Sequence, residues 1–174
     1  MKEKDIIERC QTGEIEAFKL LYNRYNRPLL HTAYRMLGNT HDAEDAVQTA
    51  FLKVYKNIKR FRYKSKFSTY LFKILINICI DMSKKKHRNK KVELMEDINL
   101  KKPNYELEME IDRALQKLPS KQRECFLLFT VGDRKQKEIA EILDISLGSV
   151  KANIFHAKLK LRSYLSEYTE KGCV

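Results

Sequence analysis

The sequence predicts an all-α fold: two small helical domains joined by a flexible linker, the C-terminal one containing a helix-turn-helix. Three observations carry this. Five Gly and three Pro in 174 residues leave few of the turns an all-β chain needs. Apolar residues recur every three or four positions through most of the chain, the period of a helix with one buried face. That periodicity fades between Val92 and Asn104, where Glu93, Glu96 and Asp97 mix with Lys101 and Lys102 and Pro103-Asn104 punctuates. The expected division is therefore a domain over 1–91, a linker over 92–104 and a domain over 105–174.

Four helices are expected between Ile6 and Ile80, separated at Gly13, at Gly38-Asn39-Thr40 and around Tyr63 to Ser65. Pro28 falls inside the second. It lacks an N–H and crowds the preceding turn, so it should kink that helix or divide it. Beyond the linker, helical spacing resumes at Tyr105, runs to Leu118, stops at Pro119, continues over Cys125 to Phe129 and breaks at Gly132-Asp133. Lys135 to Leu161 then fits a helix-turn-helix. Ile139, Ala140 and Leu143 have core spacing, Asp144-Ile145-Ser146 makes a short turn, and Val150, Ile154, Ala157 and Leu161 form the next apolar stripe. Ser146 is placed to cap the second helix, and the small Ala140 allows the two helices to approach.

The formal charge of +12 is uneven. Residues 1–91 hold 21 basic and 9 acidic groups, 92–118 hold 4 and 7, and 119–174 hold 10 and 7. Such an excess suits nucleic acid, an anionic membrane or an acidic protein without choosing among them. Met1 to Arg9 lack the apolar stretch of a signal peptide, and the apolar run Leu71 to Ile80 is about half a membrane span, so a cytoplasmic location is expected. Cys10, Cys79, Cys125 and Cys173 lie far apart with no CxxC and no His at ligand spacing, which favours reduced structural thiols and no metal site.

Fourteen Lys or Arg and one carboxylate, Asp81, lie between Lys53 and Lys91, with Tyr55, Phe61, Tyr63, Phe67, Tyr70 and Phe72 among them. Cations follow a phosphate backbone, and flat rings stack on bases that have left a duplex, so the combination points to single-stranded DNA. In the helix from about Phe67 to Arg88, Tyr70, Lys73, Asn77, Asp81, Lys84 and Arg88 form a polar stripe beside an apolar one of Leu71, Ile74, Leu75, Ile78 and Met82. The preceding segment from Phe61 to Phe67, with Arg62, Lys64 and Lys66, has the composition of a loop that catches an extruded base; the plainer reading is a loop pinned by two core Phe. Lys84, Lys85 and Arg88 would hold phosphates of the adjoining duplex, or form a solvated basic helix end.

In the helix-turn-helix, Lys151, Ala152, Phe155 and His156 fall opposite the buried stripe, with Ser149 at the same helix's start. These are candidate major-groove readers, unless that face is simply solvated. A third patch opens at Asp42 on a helix whose inner face is Ala43, Ala46, Val47, Ala50, Phe51 and Val54. Its acids suit the helix dipole, yet Asp45, Gln48 and Leu52 stand one turn apart on the outer side, as a protein-binding ridge would. An enzyme acting on nucleic acid would need a carboxylate cluster or a nucleophile with its base. Asp42, Glu44 and Asp45 have no neighbouring His, Lys or Ser in a catalytic arrangement.

At these residues the chain resembles the extracytoplasmic-function (ECF) sigma factors of bacterial RNA polymerase over nearly its whole length. DAEDAVQTAFLKVYKNIKRF is similar to their core-binding helix, and FSTYLFKILINICIDMSKKKHR to the promoter-melting and upstream-recognition helix. LPSKQRECFLLF followed by KEIAEILDISLGSVKANIFHAKLKL is similar to their second domain. The resemblance implies a specificity subunit that reads −10 and −35 promoter elements, captures melted bases and has no catalytic site of its own. It implies that Asp45 and Gln48 grip a coiled coil of the β′ subunit, that Phe61 and Asn77 form the pocket for a flipped −10 base, and that Lys151, Ala152, Phe155 and His156 read the −35 element. The implied partners are core RNA polymerase (β′ coiled coil and β flap), duplex and single-stranded promoter DNA, and an anti-sigma factor that could hold the protein at the membrane face. No cofactor and no small-molecule substrate are implied. Relatives commonly carry Trp where Tyr70 stands and Arg where His156 stands, and a neutral imidazole cannot fork two bonds to guanine. A free-standing LuxR-type regulator, with 1–91 as a sensing domain, is the alternative; a sensor would not need the basic aromatic helix.

Overall fold

The computed structural model describes the backbone of residues 2–89, 105–132 and 134–171, and the side chains of these except 86–89, 105, 106, 108 and 167–171. The expected linker and Asp133 lie outside the described residues, as does Cys173. All regular structure among the described residues is helical: α1 (Glu3–Gln11), α2 (Ile15–Leu37), α3 (Thr40–Asn57), a single 3₁₀ turn (Ile58–Arg60), α4 (Phe67–Asn89), α5 (Tyr105–Lys117), α6 (Ser120–Thr130), α7 (Gln136–Leu143) and α8 (Leu147–Lys171).

The first domain packs α1, α3 and α4 around α2. The breaks fall where the sequence puts them. Gly38 ends α2 at φ 81, a left-handed conformation that costs glycine little, and its N–H bonds to Tyr34 O at 2.7 Å. Asn39 then caps α3, its Oδ1 accepting from Asp42 N at 2.8 Å. Pro28 does not divide α2, which runs unbroken from Ile15 to Leu37. Thr32 Oγ1 donates to Pro28 O at 2.9 Å one turn on, a bond made within the helix itself. The inner face of α3 is the expected set, with Ala43, Ala46, Val47, Ala50, Phe51 and Val54 all buried. Three alanines on that face let α2 and α3 approach closely.

In the second domain α6 starts at Ser120, five residues before Cys125, because its first turn is polar and leaves no apolar period to read. The final pair is a helix-turn-helix. Asp144 adopts φ 54 to end α7, and Ser146 Oγ accepts from Ser149 N at 3.1 Å to start α8. Ile139, Ile142, Leu143, Val150, Ile154, Ala157 and Leu161 are buried, whereas Ala140 is only half-buried. The α8 helix continues to Lys171, past the last residue of that stripe.

The two domains are docked on each other, α7 against α4 and both α5 and α6 against α2. The buried arc of α4 is accordingly wider than the one stripe the sequence suggested. At about 100° per residue, Leu71, Leu75 and Ile78 occupy one side, while Phe72, Ile76 and Cys79, also buried, turn roughly a quarter-circle away. Burial raises the Cys79 thiol to about 12 and the Cys125 thiol to about 11, and with Cys10 these are buried free thiols.

Candidate nucleic-acid interface

The loop between the 3₁₀ turn and α4 is shaped from both ends. Gln11, at the end of α1, donates through Nε2 to Ile58 O at 3.1 Å and to Phe61 O at 2.9 Å, strapping the loop entry to the first helix. At the other end Phe67 is 2% exposed and packs against Tyr25 with ring centroids 5.7 Å apart. Phe61 is the hub. Its ring meets Phe67 at 5.6 Å, Tyr70 at 5.2 Å and Tyr63 at 5.0 Å, in tilted or edge-on geometries that aromatic pairs favour.

Beside this hub opens a cleft of about 400 Å³ lined by Asn57, Arg60, Phe61, Arg62, Lys64, Ser65 and Tyr70. It has room for an unstacked base, with the half-buried Tyr70 ring to stack on and Arg60, Arg62 and Lys64 in its lining for phosphate. Burial pushes the Tyr70 and Tyr63 phenols above their ordinary range, so both rings stay neutral at physiological pH.

Several expectations change here. Phe67 is a core residue that pins the loop and offers no face to a base. Phe61, 9% exposed, serves as cleft wall, and the accessible rings are the half-buried Tyr70 and the 41%-exposed Tyr63. The structure does not bring Asn77 to Phe61. Asn77 is exposed but lies two turns beyond Tyr70, about 10 Å along the axis, and does not line the cleft. Asn57, Arg60 and Ser65 do line it and were missed. Arg60 belongs to the basic run and could have been included; nothing in the periodicity marks Asn57 or Ser65.

The polar stripe of α4 is present as expected, with Lys73, Asn77, Asp81, Lys84 and Lys85 exposed. The side chain of Arg88 lies outside the described residues. Arg62, Lys64 and Lys66 are exposed on the loop. Lys66 and Lys73 are nonetheless engaged by the second domain: Lys66 Nζ donates to Glu138 Oε1 at 2.6 Å, and Lys73 Nζ to Glu141 O at 3.2 Å.

On α8, Ser149, Lys151, Ala152, Phe155 and His156 all face solvent, opposite the buried Val150, Ile154 and Ala157. The rings of Phe155 and His156 meet edge-on at 5.6 Å. An exposed phenylalanine on a helix-turn-helix can meet a thymine methyl in the major groove. On α3, Asp45, Gln48 and Leu52 project outward, and Leu52 is 59% exposed. Next to them lies an aromatic ridge that sequence reasoning missed. Tyr55 meets Phe18 at 5.1 Å and Tyr22 meets Phe51 at 4.8 Å, leaving both tyrosines partly in solvent. Tyr22 comes from α2, so only the packing of α2 on α3 unites them. Among the described residues no group of three or more His, Cys, Asp or Glu is placed to hold a metal ion, and no helix is long and apolar enough to cross a membrane.

A ring-and-cation cleft on one helical domain and an exposed recognition helix on another define a DNA-binding protein of two modules. Comparison with known proteins resolves the class. Residues 21–89 match the family model for sigma-70 region 2, and residues 108–161 that for sigma-70 region 4. The chain is 32% identical to the ECF RNA polymerase sigma factor SigW of Bacillus subtilis, over 96% of this chain and 98% of the relative. It is 30% identical to SigE of Mycolicibacterium smegmatis over 80% of this chain and 58% of that one. In overall fold it is similar to CnrH, solved in complex with the cytosolic domain of CnrY (TM-score 0.76, 24% identity, 95% of this chain and 97% of that one). It is also similar to the sigma factor RpoE of Bartonella quintana, solved with the anti-sigma factor NepR (TM-score 0.74, 23% identity, 86% and 96%). The chain belongs to the ECF sigma factors, which are promoter-specificity subunits of RNA polymerase. A LuxR-type regulator is thereby set aside, since both halves match sigma regions.

Proposed function

We propose that this chain places core RNA polymerase at promoters by dividing the work among three surfaces. The Asp45, Gln48 and Leu52 side of α3 docks on the β′ coiled coil. The cleft between Phe61 and Tyr70 holds one flipped base of the −10 element. The exposed face of α8 reads the −35 element. The observation that carries the reading is the cleft itself, where Phe61 forms the wall, the half-buried Tyr70 supplies a ring face and Arg60, Arg62 and Lys64 supply charge. A duplex reader has no use for such a recess; a protein that captures a melted base does.

The chain performs no chemistry: its contribution is binding energy, with the polymerase making the phosphodiester bonds. A cytoplasmic location follows from that partnership, and an anti-sigma factor, the partner named for the Bartonella quintana relative, would regulate it. Run-off transcription with purified core polymerase and genomic fragments tests the reading. Discrete start sites should appear only when the chain is added; core polymerase with and without it giving the same products would refute the proposal.

A further inference from the structure

Gln11 is the last residue of α1 and does not itself line the base cleft. Its amide nitrogen nonetheless bridges the two ends of the 3₁₀ turn, donating to Ile58 O at 3.1 Å and to Phe61 O at 2.9 Å. A carboxamide nitrogen carries two hydrogens, so one side chain can hold both carbonyls at once; its oxygen could not stand there without facing two acceptors. Phe61 N also donates to Ile58 O at 3.0 Å, so the turn is closed from within and tied from outside. The anchor is itself held, because Arg9 Nε donates to Glu14 Oε2 at 2.7 Å across the turn that follows α1, where Gly13 takes φ 95. We propose that Gln11 is a positioning residue for base capture, holding the backbone of Phe61 so that the cleft is formed before a base arrives.

The effect travels through Phe61. Its ring is 9% exposed and meets Tyr70 at 5.2 Å and Phe67 at 5.6 Å, so a shift of its backbone would move the cleft wall against the stacking ring. Two residues on, Tyr63 takes φ 54, a left-handed conformation that a bulky side chain keeps only where its surroundings impose it. Those surroundings include α1 again. The Tyr63 ring packs edge-on against Phe61 at 5.0 Å, and burial, followed by the nearby Glu8 and Cys10 of α1, raises its phenol. The first helix therefore meets the loop twice, through Gln11 at its entry and beside Tyr63 farther on. Arg62 and Lys64, exposed and of like charge, do nothing to keep the loop closed by themselves. A loop already ordered in the folded chain loses less freedom on binding, so the strap should be read out as affinity for the captured base.

This inference rests on the cleft holding a flipped base, and its test separates the two ideas. Single-stranded −10 oligonucleotides, each made abasic at a different position, are bound to holoenzyme and followed by fluorescence anisotropy. With the parent chain one position should dominate, its loss weakening binding by roughly 5- to 150-fold, the worth of one stacked base. Gln11→Met keeps the length of the side chain and removes both donors. The penalty at that position should shrink at least about threefold, while binding to a −35 duplex and co-elution with core polymerase stay unchanged. A parent chain with no penalty at any position would refute base capture and the strap with it. A parent penalty that persists undiminished in Gln11→Met would refute the strap alone, as would equal weakening on every oligonucleotide and on the −35 duplex, the pattern of a merely structural role. Hydrogen exchange of the parent holoenzyme decides the same point without any variant. Amides of residues 59–65 should be protected before DNA is added and slow by less than about threefold when the oligonucleotide binds; protection that arises only with DNA would overturn the proposal.

Discussion

Tyr70 is the residue on which base capture depends most directly, and two substitutions separate its roles. Its ring lines the cleft and touches Phe61 at 5.2 Å and Phe67 at 6.4 Å. Stacking of one base on an aromatic ring is worth about 1–3 kcal/mol, so Tyr70→Ala should weaken holoenzyme binding to a single-stranded −10 oligonucleotide by roughly 5- to 150-fold. The same substitution removes two ring contacts worth about 0.5–1.5 kcal/mol each, so the chain should lose about 1–3 kcal/mol of stability in urea unfolding. Tyr70→Phe keeps both the stacking face and the ring contacts and should remain within about twofold of the parent in binding. Fluorescence anisotropy with a labelled oligonucleotide reads the first effect, and urea unfolding of the free chain subtracts the second. Permanganate footprinting of the Tyr70→Ala holoenzyme should show a smaller bubble. Affinity for the oligonucleotide that is unchanged in Tyr70→Ala, or equally reduced in Tyr70→Phe, would remove stacking from the account.

Other outcomes follow from the same geometry. Phe67→Ala should cost about 3–5 kcal/mol in urea unfolding, as expected for a fully buried ring; a cost below about 1 kcal/mol would mean that Phe67 does not pin the loop. Replacing Asp45 and Gln48 together by Ala should lower core affinity at least about fivefold by co-purification while leaving the melting temperature unchanged, because both side chains are exposed. Lys151→Ala should reduce the log-log salt slope of promoter binding by about one if it meets a phosphate, and equal weakening on every DNA sequence would argue against base reading there. Burial alone would raise the Glu138 carboxyl, but the Lys66 and Lys135 hydrogen bonds and the Lys66 and Arg134 charges together hold it below its ordinary range. A depressed carboxylate stabilises the docked state above its unfolded value near 4.3, and the effect is lost as pH falls through the lower folded value. Lys66 and Glu138 should therefore separate in acid, and Glu138→Gln should abolish that pH dependence of domain docking measured by small-angle scattering.

The parts of this molecule that were readable in advance are those governed by neighbours in sequence. Apolar spacing located the helices, the inner face of α3 and the two stripes of the helix-turn-helix, because a residue's position on a helix surface depends only on counting along it. Turn chemistry at Gly38-Asn39 and at Ser146 followed from the local preferences of those residues. Exposure of Asp45, Gln48, Lys151 and Phe155 followed from the same counting.

What sequence spacing could not supply depends on residues brought together from far apart. Gln11 reaches carbonyls 47 and 50 residues away, and that strap ties the entry of the loop bearing Phe61 to α1. The aromatic ridge needs Tyr22 of α2 set against Phe51 of α3. The assignment of Phe61 to the cleft wall and the pairing of Lys66 with a carboxylate 72 residues on were decided by packing. A basic residue on a polar stripe looks the same in sequence whether it faces water, DNA or another domain; only the tertiary fold, by placing α7 beside α4, distinguishes them.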